Sequence, residues 1–137
     1  DWKALGVRLR NEELRLDEKL YSTLLLPQGK DGPAFLAFKN FEVYLSWNDS
    51  FIYTVTAAHL AKRLAGAKKY IHRNPSDILD IESMIQLQNL LKSKGYDVGK
   101  VDGILGAKTR QAVRLIQLEF GLSADSWPTN DLLRKLQ

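Results

Sequence analysis

Cysteine is absent from the 137 residues, which excludes disulfides and thiolate metal sites but leaves an extracytoplasmic location open. Histidine occurs twice, at His59 and His72, too isolated to build a zinc site. No apolar run approaches the roughly 20 residues that span a bilayer. A one-sided charge pattern is missing as well. The net charge of +4 divides into 11 basic against 8 acidic residues over 1–70 and 9 against 8 over 71–137. With no basic stripe, a nucleic-acid surface has little support, although a mildly basic protein suits an acidic polymer. The chain opens on Asp1 with no charged-then-apolar leader, which is expected of a processed form or a fragment.

What is present is ordinary for a water-soluble fold: 45% hydrophobic and 26% charged residues. The most informative stretch is GYDVGKVDGILGAKTRQAVRLIQLEFG, residues 95–121. Gly95 follows the periodic run Ile81, Met84, Ile85, Gln88, Leu91, at the place where a left-handed residue ends a helix. Gly99, Asp102-Gly103 and Gly106 then punctuate a loop, Asp-Gly being a turn pair. Thr109, Ala112, Val113, Ile116 and Phe120 recur at three and four, one stripe of an amphipathic helix that Gly121 can close. The loop lacks the alternating oxygen ligands of an EF-hand, and it is too long for a DNA-reading helix-turn-helix.

Upstream, residues 1–10 carry a weak strand start at Val7 and Leu9, and residues 10–19 read as a solvated loop or short helical turn. Leu20–Pro27 reads as a strand stopped by proline. After the turn residues 28–33, Ala34–Phe38 and Phe41–Trp47 read as two further strands around a tight Lys39-Asn40 turn. A small antiparallel sheet is the expectation. Asn48, Asp49 and Ser50 offer caps for a helix in which Tyr53, Ala57, Leu60 and Leu64 fall at helical spacing before Gly66. The basic, proline-containing segment 67–76 places a domain boundary there, with Asp77 as the expected cap of a helix running to Lys94. The expected fold class is α+β: a sheet with a helix over 1–70, then a three-helix module over 71–137.

Two resemblances attach to these residues. Leu87-Gln88, Gly95-Tyr96, Val101 to Gly106, Thr109, Ala112-Val113, Gln117, Gly121-Leu122 and Asp125 resemble the three-helix type of peptidoglycan-binding domain appended to bacterial cell-wall enzymes. That family often has Asp-Gly before its last helix, where this chain has Asp125-Ser126-Trp127-Pro128. Leu26-Pro27-Gln28-Gly29, Gly32 to Leu36, Asn40-Phe41, Trp47 to Ser50, Tyr53 and His59-Leu60-Ala61 are similar to the C-terminal part of the catalytic domain of the lytic murein transglycosylase B family. The order of the two pieces also matches that seen in some members.

The resemblance implies non-hydrolytic cleavage between N-acetylmuramic acid and N-acetylglucosamine by one glutamic acid, with no cofactor and no metal. That glutamate sits in a Glu-Ser type context upstream of the matching segment, and nothing here matches it, so the chain alone is expected to be inactive. Glu12, Glu13, Glu18, Glu42, Glu82 and Glu119 all read as solvated carboxylates. The resemblance places Trp47 and Asn48, with Tyr53 nearby, on the wall of the glycan cleft. The residues alone equally allow Trp47 in a core and Asn48 as a helix cap. In the second piece Tyr96, Asp102, Thr109 and Arg110 are the candidate ligand-facing set, where free N–H groups at a helix start can receive a carboxylate. The expected partners are glycan strands or stem peptides and a catalytic region outside this chain; the expected state is a monomer. The expected compartment is the periplasm or cell envelope, with an outer-membrane anchor upstream as one route. A non-catalytic wall-binding or scaffold protein is the alternative.

Overall fold

A computed structural model describes Val7 and residues 20–48, 50–70, 74–75 and 78–137. The readings at residues 1–6 and 8–19, at Asp49, His72 and Asp77, and at Glu12, Glu13 and Glu18 lie outside the described residues. Val7 belongs to no strand. Two strands come first among the elements: β1 (Ser22–Leu25) pairs antiparallel with β2 (Phe35–Phe38), Ser22 opposite Phe38 and Leu25 opposite Phe35. The helices follow as α1 (Asn40–Trp47), α2 (Phe51–Leu64), α3 (Ile81–Ser93), α4 (Ala107–Glu119) and α5 (Asn130–Leu136).

The third expected strand is therefore a helix. Phe41 and Leu45 share a face under either period, so alternation over seven residues does not separate a strand from a helix. The turn decides the matter. A two-residue hairpin needs left-handed backbone at its centre, which Lys39-Asn40 does not supply. Lys39 instead sits at φ −48°, ψ −34°, already right-handed helical, and the chain runs straight into α1. Ser46 Oγ then donates to the Glu42 carbonyl one turn back. Glu42 lies exposed on that helix and not mid-strand.

Helix α2 is capped by Ser50, whose hydroxyl accepts from the Tyr53 amide. Its inward side chains are Thr54 and Val55, while Leu60 and Leu64 of the expected stripe stand exposed. Helix α3 starts at Asp80, whose carboxylate accepts from the Ser83 amide at 2.7 Å, three residues beyond the expected cap at Asp77. The later start follows from Leu79: it is buried in the same core as Met84, the pair that staples the chain across a cap at position 80.

Glycine closes α3 and α4 in the same way. Gly95 (φ +91°) and Gly121 (φ +64°) turn left-handed. Tyr96 N–H then reaches back to the Leu91 carbonyl and Leu122 N–H to that of Gln117, the paired bonds of a Schellman close. Beyond α4, Ser126 holds φ +62° where a glycine would be unstrained. Its amide donates to Gln117 Oε1, and the next amide, of Trp127, donates to Asp125 Oδ1, which fixes the turn.

The core belongs to the second half. Leu79, Met84, Leu87, Leu91, Val98, Ala112, Val113, Ile116, Leu132, Leu133 and Leu136 form one cluster drawn from α3, α4, α5 and the connecting loop. Inside it lies a carboxamide. Gln88 Nε2 donates to the Ile104 carbonyl and to Thr109 Oγ1, while its Oε1 accepts from the amides of Asp102 and Gly103. All four of its bonding positions are thus used. Gly103, at φ +76°, lies so close to α3 that a Cβ there would fall 2.7 Å from Ile81 Cγ2. The loop has no ladder of its own, so one side chain of α3 supplies the bonds a strand would have made.

Two outcomes follow. Gln88→Leu preserves volume but strands the loop amides, and urea unfolding should show a loss of about 2–4 kcal/mol at unchanged m-value. Asp80 is held below its usual value by the Ser83 amide, so its contribution is present above pH 3.8 and is lost as pH falls through the lowered value. Asp80→Asn keeps the cap and removes that titration, and its melting temperature should fall less than the wild type's between neutral pH and pH about 3.

Candidate functional site

The α1–α2 junction presents an aromatic shelf. Trp47, the last residue of α1, is 73% exposed and Tyr53, in the first turn of α2, is 46% exposed. Their ring centroids are 5.9 Å apart at 43°. Between them the chain turns on Asn48: its Oδ1 accepts from the Ser50 amide at 2.8 Å, and its carbonyl accepts from Thr54 Oγ1. Asn48 therefore shapes the turn, and Ser50 makes the cap. Among the described residues the Asn48 Nδ2 donor has no partner, and it lies beside two open aromatic faces. Such a pair is suited to the C–H face of a pyranose, with an amide to read its hydroxyl or N-acetyl group. Trp47, Asn48 and Tyr53 are thus brought together.

The second set divides. Tyr96 is half-buried at the end of α3 and donates from its hydroxyl to Glu119 Oε2 at 2.6 Å, which holds the phenol above its usual value. Asp102 is exposed at the loop turn, its Oδ1 accepting from the Ile104 amide. Beside it a shallow groove of about 250 Å³ runs along Val98, Gly99, Lys100, Asp102, Ile104 and Lys108 to the start of α4. Gly106 precedes α4 without a side-chain cap, so the first amides of the helix open toward this groove. Lys108, on its edge, pairs with Asp97 at 2.8 Å, and that lysine together with the Gly99 amide holds the Asp97 carboxyl below its usual range.

Thr109 and Arg110 point elsewhere. Thr109 is 1% exposed and donates to the Val98 carbonyl, so it supports the groove from beneath. Arg110 is 8% exposed and donates from Nη2 to the Pro27 carbonyl in the first half of the chain. Two residues outside the sequence-based set carry as much of the site as those within it. Gln88 reads as one more member of an α3 stripe, yet it shapes the loop. Asp97 gave no signal beyond its place between two glycines.

Among the described glutamates, Glu42, Glu82 and Glu119 are all exposed. His59 packs against the rings of Phe35 and Tyr70, with centroids 5.7 and 5.4 Å away, and those two rings also meet edge-on.

Comparison with known proteins bears on both halves. Residues 1–62 match the family described as "Transglycosylase SLT domain", and residues 81–136 match that described as "Putative peptidoglycan binding domain". A crystal structure of SltB3 from Pseudomonas aeruginosa in complex with NAG-anhNAM-pentapeptide is 38% identical, with a TM-score of 0.73 over 98% of this chain and 37% of that one. SltB3 in complex with NAG-NAM-pentapeptide gives 41% identity and a TM-score of 0.67 over 86% of this chain and 32% of that one. The spore cortex-lytic enzyme of Bacillus cereus is 48% identical over 44 residues, which are 32% of this chain and 17% of that enzyme. The chain thus spans about a third of the solved structures it matches and less of the curated relative. Residues 1–62 are therefore similar to the SLT transglycosylase domain and residues 81–136 to the peptidoglycan-binding domain, consistent with a B-type SLT protein that carries both.

Proposed function

We propose that this chain is the wall-holding end of a lytic transglycosylase of the cell envelope, in the periplasm. In this reading residues 71–137 bind peptidoglycan, and residues 1–70 supply one wall of the glycan cleft through Trp47, Asn48 and Tyr53. The acid that cuts the MurNAc–GlcNAc bond belongs to a catalytic region upstream. The observation that carries the reading is a continuous alignment across both halves, at 38% identity, with a protein solved in complex with NAG-anhNAM-pentapeptide.

Geometry supports the same division. A general acid that stays protonated near neutral pH needs a partly dry cleft, and every described glutamate is solvated. Exposed Leu20, Val43, Ile52, Leu60 and Leu64 give the first half an apolar outside with little core of its own, as expected where further parts of a domain pack against it. With those parts in place, the glutamic acid protonates the leaving oxygen as the C1–O bond breaks. The carboxylate so formed then takes the proton from the muramoyl O6 hydroxyl as that oxygen closes on C1 to give the 1,6-anhydro ring. The proton count balances, and water is not consumed.

On the module, the groove beside Asp102 receives the wall polymer, and the open amides at the start of α4 suit a stem-peptide carboxylate. Holding the polymer there raises its effective concentration at the cleft.

Purified sacculi should pull the chain into the pellet at low salt. A chain that stays in the supernatant contradicts the wall-binding reading. Trp47→Ala should leave pelleting intact yet weaken binding of a soluble muropeptide tetrasaccharide about tenfold, equivalent to about 1.4 kcal/mol. Unchanged tetrasaccharide affinity would remove Trp47 from the cleft wall.

A further inference from the structure

Residues far apart in sequence meet on a seam unlike a loose tether. On the α4 side Arg110 is buried, and its guanidinium carbon lies 5.1 Å from the Phe51 ring and 5.7 Å from the Trp127 ring. Its Nη2 donates to the Pro27 carbonyl at 3.0 Å across 83 positions of sequence. No carboxylate pairs with it among the described residues, and its buried Nε makes no hydrogen bond there. Burial pushes its pKa down to about 10, so the group is still a cation at neutral pH.

A charge buried without a counter-ion is costly. Of the two long cations only the guanidinium, planar and weakly hydrated, is suited to lying between two aromatic rings. A second contact set flanks the first. Lys30 N–H donates to Asp125 Oδ2 at 2.9 Å, while the other oxygen of that carboxylate accepts from Gln117 Nε2 and the Trp127 amide. Gly29, at φ +73°, lies so close to the module that a Cβ there would fall 2.7 Å from Trp127 Cβ. One carboxylate thus closes the turn before α5 and grips the β1–β2 loop.

We propose that Arg110 is the positioning residue that locks the three-helix module onto the transglycosylase portion in one orientation, making a rigid ruler of what would otherwise be a leash. Phe51 opens α2 between Trp47 and Tyr53 in sequence, and Arg110 belongs to the helix whose start borders the module groove. The aromatic shelf and the groove therefore keep a set distance and direction. That consequence rests on the function proposed above, for it is peptidoglycan held in the groove that would reach the shelf in a defined register. The rigidity itself does not.

The test is nitrogen-15 relaxation on the whole 137-residue chain. The wild type should give one rotational correlation time for α2 and for α3 to α5. Arg110→Ala should split it in two, with the shorter time in the module, and Arg110→Lys should fail to restore the single value because its ammonium has no planar face to stack. Gly29→Ala breaks the seam from outside the module and should also split it while leaving sacculus binding as in the wild type. Should Arg110→Ala abolish hydrogen-exchange protection in α3, so that the module itself has unfolded, Gly29→Ala decides. Two correlation times in the wild type, or a single one in Gly29→Ala, would overturn the proposal. Loss of sacculus binding by the wild type, with tumbling unaffected, would strike the functional reading and leave the lock standing.

Discussion

A fully buried carboxamide is what the three-helix module is assembled around. Gln88 lies in the middle of α3 with both its donors and both its acceptor positions committed to protein. Inside a protein each of those bonds, if left open, costs more than it contributes when made, so the side chain and the loop specify one another. The loop of residues 95–106 has neither strand pairing nor cysteine to hold it. It keeps its shape because Asp102 and Gly103 hang from Gln88 and because Gly103 has no side chain to push it off α3. Thr109 passes the same constraint to α4. The groove at the start of that helix is the outer surface of this arrangement.

The other half is built on a different plan. Its two strands and two helices bury little more than Thr54, Val55 and the backbone of the β1–β2 loop, while aromatic and aliphatic side chains face outward. It is steadied in part through the module, by the Arg110 guanidinium and the Asp125 carboxylate. A seam that joins a thinly cored piece to a well-cored one gives the module a structural task beyond its own fold. It orients the surface on which Trp47 and Tyr53 are displayed.

Much of the module could be read directly from the chain because its signals are local. A glycine after a periodic run ends a helix whatever lies around it, and Gly95 and Gly121 do so through the same pair of bonds. The α4 stripe is equally local. The errors arise where tertiary context decides. Phe41–Trp47 fits two periods, and only the backbone at Lys39 separates them. Helix α2 is where its caps and spacing place it, but three of the four residues of its apparent core face, Tyr53, Leu60 and Leu64, look outward, since what covers them is not encoded within the helix. Gln88 and Arg110 are the harder cases. Nothing in a spacing pattern distinguishes a buried amide that organises a loop from one more polar residue on a helix. Likewise an arginine near a helix start suggests an anion long before it suggests a carbonyl 83 positions away. Trp47, Asn48 and Tyr53 lie together in the fold because they sit within seven positions of one junction.

Native-state amide hydrogen exchange at Asp102 and Gly103 tests the central claim most directly. If Gln88 holds the loop as part of the module core, these two amides exchange only through global opening, with the same free energy and denaturant dependence as the interior of α3. Exchange at the rate of a solvent-exposed loop, independent of the opening of α3, would contradict the account.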